Sequence, residues 1–506
     1  MEIEVKFALT PAGAAALRKH PLLGGAEGVR ERLHTVYYDT PDFALLRHEV
    51  ALRLRRKGRR WVQTLKARTG SGGLLAERPE WETAVIGPRP EPALLPPQAR
   101  ACLPEGVEGQ LAPVFETAFW RRTWTLQPEG AVIELALDQG EVRAGESAWP
   151  ILELELELKS GRLDDLFDVA QRLAADLPVR LEPRSKAQRG YQLAGALTLA
   201  PVKASLPALA LDGPAGAAFV AIARACMRQF EANLPGYLAA AARGETPDPE
   251  YVHQMRVSMR RLRAAVGLLR FMAVAPPEWV DELRWLMGEL GQARDWDVFV
   301  TETLPRVEAD LGGTVSLAPL LEVARRLRQA ANARAEAALT DARLARLWLA
   351  MERSLAAFPP TPMSARAWAV AALDRRHRRI KRLGKGLQAL DAAGRHALRI
   401  AGKKLRYAAE FFSALRPKAA RRFSARLAEL QDVLGVLNDA AVTAHLLEQA
   451  KATGGAAVLE AAGAVSGYLA CAQQQRLRSL AQAWAEFRAT RGFWREEADR
   501  AMDQGL

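Results

Sequence analysis

Ile151-Leu152-Glu153-Leu154-Glu155-Leu156-Glu157-Leu158 alternates apolar and acidic residues with period two. In a β-strand successive side chains point to opposite faces. Glu153, Glu155 and Glu157 therefore share one face and the leucines the other. Stacked like charges repel, so a strand of this kind needs cations beside it. Met1-Glu2-Ile3-Glu4-Val5-Lys6-Phe7 repeats the pattern.

Complementary strands follow. Leu52-Arg53-Leu54-Arg55 carries two arginines on one face, and Thr64-Leu65-Lys66 places Lys66. Arg78, Glu80 and Glu82 alternate, Phe119-Trp120-Arg121 places Arg121, and Ile133 to Asp138 adds Glu134 and Asp138. A solvated antiparallel strand also alternates apolar with charged residues. Here both signs occur, segregated by strand, with little Thr, Ser or Gln among them. A closed antiparallel β-barrel with a polar lumen accounts for that segregation. Its natural guest is a polyanion with divalent cations.

In these residues the chain resembles the CYTH family of triphosphate tunnel metalloenzymes. Glu2-Ile3-Glu4-Val5-Lys6 is similar to the family's opening Glu-x-Glu-x-Lys, and Tyr38-Asp39-Thr40 to its aromatic-Asp-Thr segment. Arg53 with Arg55, Lys66, the run Arg78, Glu80 and Glu82, then Arg121, the acidic strand from Glu153, and Ser185-Lys186 with Arg189 and Tyr191 follow in the family's order, as far as about residue 195. The resemblance implies a tunnel that binds triphosphate. Lys6, Arg53, Arg55, Lys66, Arg78, Arg121, Lys186 and Arg189 are then the phosphate-gripping residues. Glu2, Glu4, Glu153 and Glu155, assisted by Glu157 and Glu82, would hold Mg²⁺ or Mn²⁺. Lys186, Glu4 and Glu155 are the catalytic candidates, with the group that handles the attacking water left open between Lys186 and a Glu-held metal.

Elementary chemistry agrees. Arg and Lys neutralise clustered phosphate charge, Arg bidentately. Hard carboxylate oxygens suit Mg²⁺ and Mn²⁺. Phosphoryl transfer depends on positioning and charge stabilisation. No Gly-x-x-x-x-Gly-Lys-[Ser/Thr] run occurs, which excludes a Walker-type NTPase.

The chain has 506 residues, long enough for more than one domain, and 49% hydrophobic residues, ample for sizeable cores. Its net charge of +13 is uneven: residues 1–200 hold 27 basic and 27 acidic residues, so the whole excess lies beyond them. That asymmetry predicts a separate anion-binding module. Cys102, Cys226 and Cys471 show no metal or disulfide spacing, which fits reduced thiols. No apolar run reaches membrane-spanning length, and the first residues are charged strand rather than a signal peptide. The expectation is a cytoplasmic protein with no membrane partner.

Near residue 200 the patterning changes. Pro201, Pro207 and Pro214 punctuate a small-residue linker, and an Ala/Leu/Arg-rich region of helical periodicity follows. The expected organisation is a β-tunnel domain over 1–198, a linker over 199–214, and an all-helical bundle over 215–500. Helices are expected at 215–243, 250–273, 278–301, 318–356, 364–390, 394–416, 418–450 and 455–490.

The helical region repeats itself. His253, Arg256, Arg260 and Arg263 are spaced 0, 3, 7, 10, and so are His396, Arg399, Lys403 and Arg406. Those offsets fall on one helical face. Leu286, Leu290-Gly291, Arg294-Asp295 and Val298 recur as Leu430, Leu434-Gly435, Asn438-Asp439 and Val442 at the same offset of 143 or 144. This predicts two related helical halves. Arg375 to Arg382 adds a further basic run without acidic partners one turn away.

At the two His-x-x-Arg helices, over roughly 210–500, the sequence resembles the CHAD family, the conserved-histidine α-helical domain. That resemblance implies a helical bundle binding inorganic polyphosphate through a basic cavity, with the eight His, Arg and Lys residues of the repeated faces as its contacts. One departure is Arg294-Asp295 in the first half against Asn438-Asp439 in the second.

The leading expectation is thus a metal-dependent inorganic triphosphatase with an appended polyphosphate-binding domain. The alternatives are a CYTH-type thiamine triphosphatase or adenylate cyclase, which need a pocket for a thiamine or adenine group, and a non-catalytic polyphosphate-targeted binding protein. Nucleic-acid binding by the basic half lacks the aromatic interleaving of a single-strand binder and any groove-reading motif.

Overall fold

The computed structural model describes residues 2–58, 60–67, 75–128 and 130–495; for residues 2, 57, 75–78, 437 and 438 the description is of the backbone. The chain divides into two compact units. One holds residues 1–202 with 231–247 and 337–356; the other holds 203–230, 248–336 and 357–506.

The first unit is built on ten strands: β1 (Glu2–Leu9), β2 (Val29–Asp39), β3 (Val50–Lys57), β4 (Arg60–Ala67), β5 (Leu75–Arg78), β6 (Glu80–Val85), β7 (Ala112–Leu126), β8 (Val132–Ala144), β9 (Ser147–Ser160) and β10 (Val179–Leu181). All ladders are antiparallel, in the order β10-β1-β9-β8-β7-β2-β3-β4-β6, with β5 paired to β1.

The closed barrel expected from the alternation is corrected here to an open ladder. The chain leaves β1 at β5 and joins β4 at β6, and Pro79 lies between them. Proline has no amide N–H to donate to a ladder. The sheet nonetheless wraps a cavity of about 800 Å³ lined from β1, β2, β3, β4, β6, β7, β8 and β9.

Period-two patterning decides which residues face that cavity. Leu154 and Leu156 of β9, Val5 and Phe7 of β1, and Leu135 of β8 are fully buried on the other face. The helix Leu163–Asp176 packs against β9 on Leu166, Phe167, Ala170 and Leu173. Each such leucine contributes about 1.5–3 kcal/mol of burial. A one-residue register slip would exchange leucines for glutamates, so the hydrophobic face locks the charged face in place.

The second region is helical, as the periodicity predicts: Ala215–Ala242, Pro249–Val266, Val280–Val298, Ala318–Thr340, Ala342–Ala356, Ala365–Leu383, Ala392–Phe411, Pro417–Lys451 and Ala456–Ala489. The expected helix over 318–356 is two helices. Asp341 breaks it by accepting the Arg343 amide at 2.7 Å, a capping contact that restarts the helix. The helix expected to reach 390 stops at Leu383, before Gly384, where a Cβ would stand 2.2 Å from the Trp484 ring. No described helix is long and apolar enough to cross a membrane.

Candidate functional site

The cavity face of the sheet is ordered in cross-strand rows. Glu4, Glu157 and Glu134 stand side by side on β1, β9 and β8. The next row is Lys6, Glu155 and Ala136, and the next is Ala8, Glu153 and Asp138. Arg121 of β7 is opposite Asp138. Glu2 is in register with Arg78; their side chains lie outside the described residues.

Ser185 explains how a helix joins this face. Its hydroxyl accepts the Gln188 amide at 3.2 Å, and the Gln188 side chain accepts the Ser185 amide at 2.8 Å. This capping box starts the helix Lys186–Leu193, which lies against β7, β8 and β9. Gly190 permits the approach, since a Cβ there would meet the Phe115 ring at 2.1 Å.

Lys186 opens that helix among three carboxylates: 2.8 Å from Asp138, 2.6 Å from Glu153 and 2.6 Å from Glu155. Arg121 bridges Asp138 at 2.7 Å and Glu155 at 2.5 Å, and Arg189 pairs with Glu153. The six residues form a network of three cations and three anions. Burial opposes the charge on Lys186, but Asp138, Glu153 and Glu155 outweigh it and hold the ammonium well above its ordinary value. Burial likewise opposes ionised Glu155, but Lys186 and Arg121 hold its carboxyl well below the usual range. Lys186 is therefore a fixed positive charge across the pH range of ordinary activity.

A second cluster is gathered at Glu80. Glu80 pairs with Arg53 at 3.0 Å and with Lys66 at 2.7 Å. Arg55 donates through Nε to Thr35 Oγ1 at 2.9 Å and has no ion pair among the described residues. Burial, then Arg53, push its guanidinium down to about 10. Lys6 donates to the Arg184 carbonyl, and burial lowers its ammonium. Arg55 and Lys6 thus line the tunnel without an ion pair among the described residues.

Of the expected phosphate-gripping residues, Lys6, Arg53, Arg55, Lys66, Arg121 and Lys186 line the cavity. Arg189 lies behind it, 7% exposed, braced against Glu153. Of the expected metal ligands, Glu4, Glu82, Glu155 and Glu157 line it, while Glu153 is 1% exposed. Oxygen atoms of Asp138, Glu153 and Glu155 come within 4.8 Å of one another, but the Lys186 ammonium already stands among them. The row Glu4, Glu157 and Glu134 offers hard carboxylate oxygens without that ammonium, but they do not converge as closely as the other three. Glu4 has no ion pair among the described residues, while Glu157 has Lys159 at 2.6 Å.

Sequence reasoning passed over Glu31, Tyr37, Glu49 and Lys159 as lining residues. Lys159 continues the β9 alternation one step beyond Glu157, so its place was readable. Tyr38-Asp39-Thr40 proves to be scaffolding next to the site. Asp39 is fully buried and accepts from the amides of Thr40, Leu45 and Leu46 and from the Tyr191 hydroxyl at 2.8 Å.

The helical unit has its own cavity, of about 1040 Å³. His253, Arg256, Arg260 and Arg263 line it from Pro249–Val266, and Arg399 and Lys403 from Ala392–Phe411. His396 and Arg406 are not among its lining residues; Arg406 lies 3.3 Å from Glu410. Arg270, Arg294, Arg376 and Lys404 add charge from outside the repeated faces. Arg256 is held at 2.9 Å by Asp295, and Asp439 occupies the matching place beside Arg399. Arg294, where the second half has Asn438, contributes a cation to the wall and pairs with Glu302 at 3.0 Å.

Comparison with known proteins matches two stretches of the chain. Residues 1–191 match the CYTH domain and residues 221–448 the CHAD domain. A protein of Haemophilus influenzae named inorganic triphosphatase is 35% identical over 199 residues, 38% of this chain. The match covers 54% of that relative, so the chain spans about half the length of the curated protein it resembles. The crystal structure of the CHAD domain from the plant Ricinus communis is 35% identical with a TM-score of 0.51, covering 58% of this chain and 98% of that one.

Proposed function

We propose, for a chain that belongs to the CYTH family in its first domain and to the CHAD family in its second, that the tunnel hydrolyses inorganic triphosphate to diphosphate and phosphate with a divalent metal, and that the helical domain binds inorganic polyphosphate. The observation that carries the first part is a single cavity with an acid row, Glu4, Glu157 and Glu134, and a set of cations, Arg53, Arg55, Lys66 and Arg121. A cavity of both signs suits a polyanion that arrives with a cation. The relative named inorganic triphosphatase supports the substrate class.

Glu4, Glu157 and Glu134 would hold Mg²⁺ or Mn²⁺, with Glu82 and Glu155 near them; the ion would supply charge neutralisation and an activated water. The chain's own cations do the rest. Arg53, Arg55 and Lys66 hold phosphate oxygens and offset the charge that gathers in the transition state. Arg121 and Lys186 carry fixed positive charge held in position by Asp138, Glu153 and Glu155. Lys186 orients rather than accepts a proton, because three carboxylates hold it protonated.

Replacing Glu4 by Gln tests this reading. Turnover of triphosphate should fall at least a hundredfold, roughly the effect of losing one preorganised electrostatic contact, with the melting temperature kept. Turnover that survives both that change and excess chelator would remove the metal from the account.

The basic cavity supports the polyphosphate part. Seven arginines and two lysines face it with few carboxylates. Titration of the protein with long-chain polyphosphate and with duplex DNA of matched charge distinguishes a phosphate-chain site from a generic basic surface; equal affinity would demote it to the latter.

A further inference from the structure

The helical cavity gathers cations that cannot all be relieved by its carboxylates. Arginine keeps its proton at any ordinary pH, so repulsion among arginines cannot be released by titration. A lysine in such a crowd can release its proton. Lys403 occupies that position on the cavity wall. Arg399 and Arg406 flank it on its own helix, Arg260 faces it from Pro249–Val266, and Asp439 faces it from Pro417–Lys451. The remaining charged helix packed on its own, Ala365–Leu383, presents Arg376 and Arg379 to Lys404 instead.

We propose that Lys403 makes this cavity a proton-coupled polyanion site: it gives up its proton in the empty cavity and takes one up when a phosphate chain enters, so the grip tightens as pH falls. The inference rests on the polyphosphate reading above. Burial, then Arg399 and Arg260, bring the Lys403 ammonium down to about 7, with Asp439 opposing in part. An entering chain of phosphates supplies the negative charge that the cavity lacks and drives the value back toward the ordinary 10.5. Between those limits binding absorbs a proton from the buffer onto Nζ, and affinity must fall as pH rises. His253, in the same cavity, is pushed below its ordinary 6.5 by burial and Arg294, so it is neutral in the empty cavity across that window.

The test is calorimetric titration of the full chain with long-chain polyphosphate in excess chelator, in buffers of different ionisation enthalpy. Long chains make their titrating ends negligible. Binding should be roughly 15-fold weaker at about pH 8.5 than at about pH 7, the ratio a single group titrating near 7 gives, and proton uptake should be measurable. Lys403→Arg keeps the charge and removes the titration: its affinity should change less than about twofold over the same range, with uptake largely gone. Lys451→Arg, outside the cavity and paired with Glu448, is the comparison and should behave as the parent. Uptake that persists in Lys403→Arg, or that vanishes only when Lys404 is replaced by Arg instead, overturns the proposal. Arg256→Ala with Arg260→Ala should weaken binding at both pH values. Parental binding in that double variant, or no binding by the parent, would overturn the polyphosphate reading of this cavity itself.

Discussion

Arg55 separates function from stability more cleanly than any other tunnel residue. Its Nε is tied to Thr35 Oγ1, which aims the guanidinium and leaves its two terminal nitrogens for a ligand. No carboxylate pairs with it among the described residues, and Arg53 and Arg121 repel it. The folded protein therefore keeps a buried cation that costs stability, as binding sites often do. Charge-assisted hydrogen bonds contribute about 1.5–3 kcal/mol, so Arg55→Ala should lower kcat/KM for triphosphate by about 10- to 150-fold. The melting temperature should hold or rise, because the deletion removes repulsion and opens space only into the lumen. Arg55→Lys should fall between, since it keeps charge and loses the fork. The assay is steady-state phosphate release beside a thermal melt. A kcat/KM within about twofold of the parent, or a clear fall in melting temperature, would refute the assignment of Arg55 as a phosphate anchor.

Arg189 should behave in the opposite way: Arg189→Met leaves Glu153 buried with Lys186 alone, at a cost below the roughly 3–5 kcal/mol of an unpaired buried charge, and denaturant melts should show that loss with KM nearly unchanged. Adding Glu153→Gln should recover part of it, and strict additivity would disprove the pairing. Burial alone would raise the Glu182 carboxyl, but Arg184, then Arg189 and Lys6, bring it down to about 2. Its stabilisation is complete above the ordinary 4.5 and is lost as pH falls toward about 2, so Glu182→Gln should flatten the stability–pH curve over that interval in urea titrations. In the helical domain, Arg256→Ala with Arg399→Ala should lower the salt slope of polyphosphate binding by roughly one to one and a half; an unchanged slope would place the chain elsewhere.

The charged rows were legible because one physical rule, period two, governs both the leucine face and the glutamate face of β9. Helix limits were legible to within a few residues except where a local contact intervened. Asp341 splits a helix that apolar periodicity reads as continuous, and Trp484 ends another against Gly384. Glu153 and Glu155 look equivalent in sequence, two residues apart on one face. Only the helix from Lys186 to Leu193 separates them, by covering Glu153 with Arg189 and leaving Glu155 at the cavity. That distinction depends on tertiary placement, which periodicity does not encode. The same holds for His396 and Arg406, which satisfy the helical spacing yet stand outside the lining of the cavity. Pro79, which cannot donate to a ladder, lies where the chain passes from β5 on β1 to β6 on β4.

The account rests most directly on what the tunnel turns over. Phosphate release should be measured on inorganic triphosphate, ATP, thiamine triphosphate and long-chain polyphosphate, each with Mg²⁺, with Mn²⁺ and with excess chelator. Inorganic triphosphate should give the highest kcat/KM, yield diphosphate and phosphate, and lose turnover in chelator. Preferred turnover of ATP or thiamine triphosphate, or no turnover of any of the four with metal present, would contradict it.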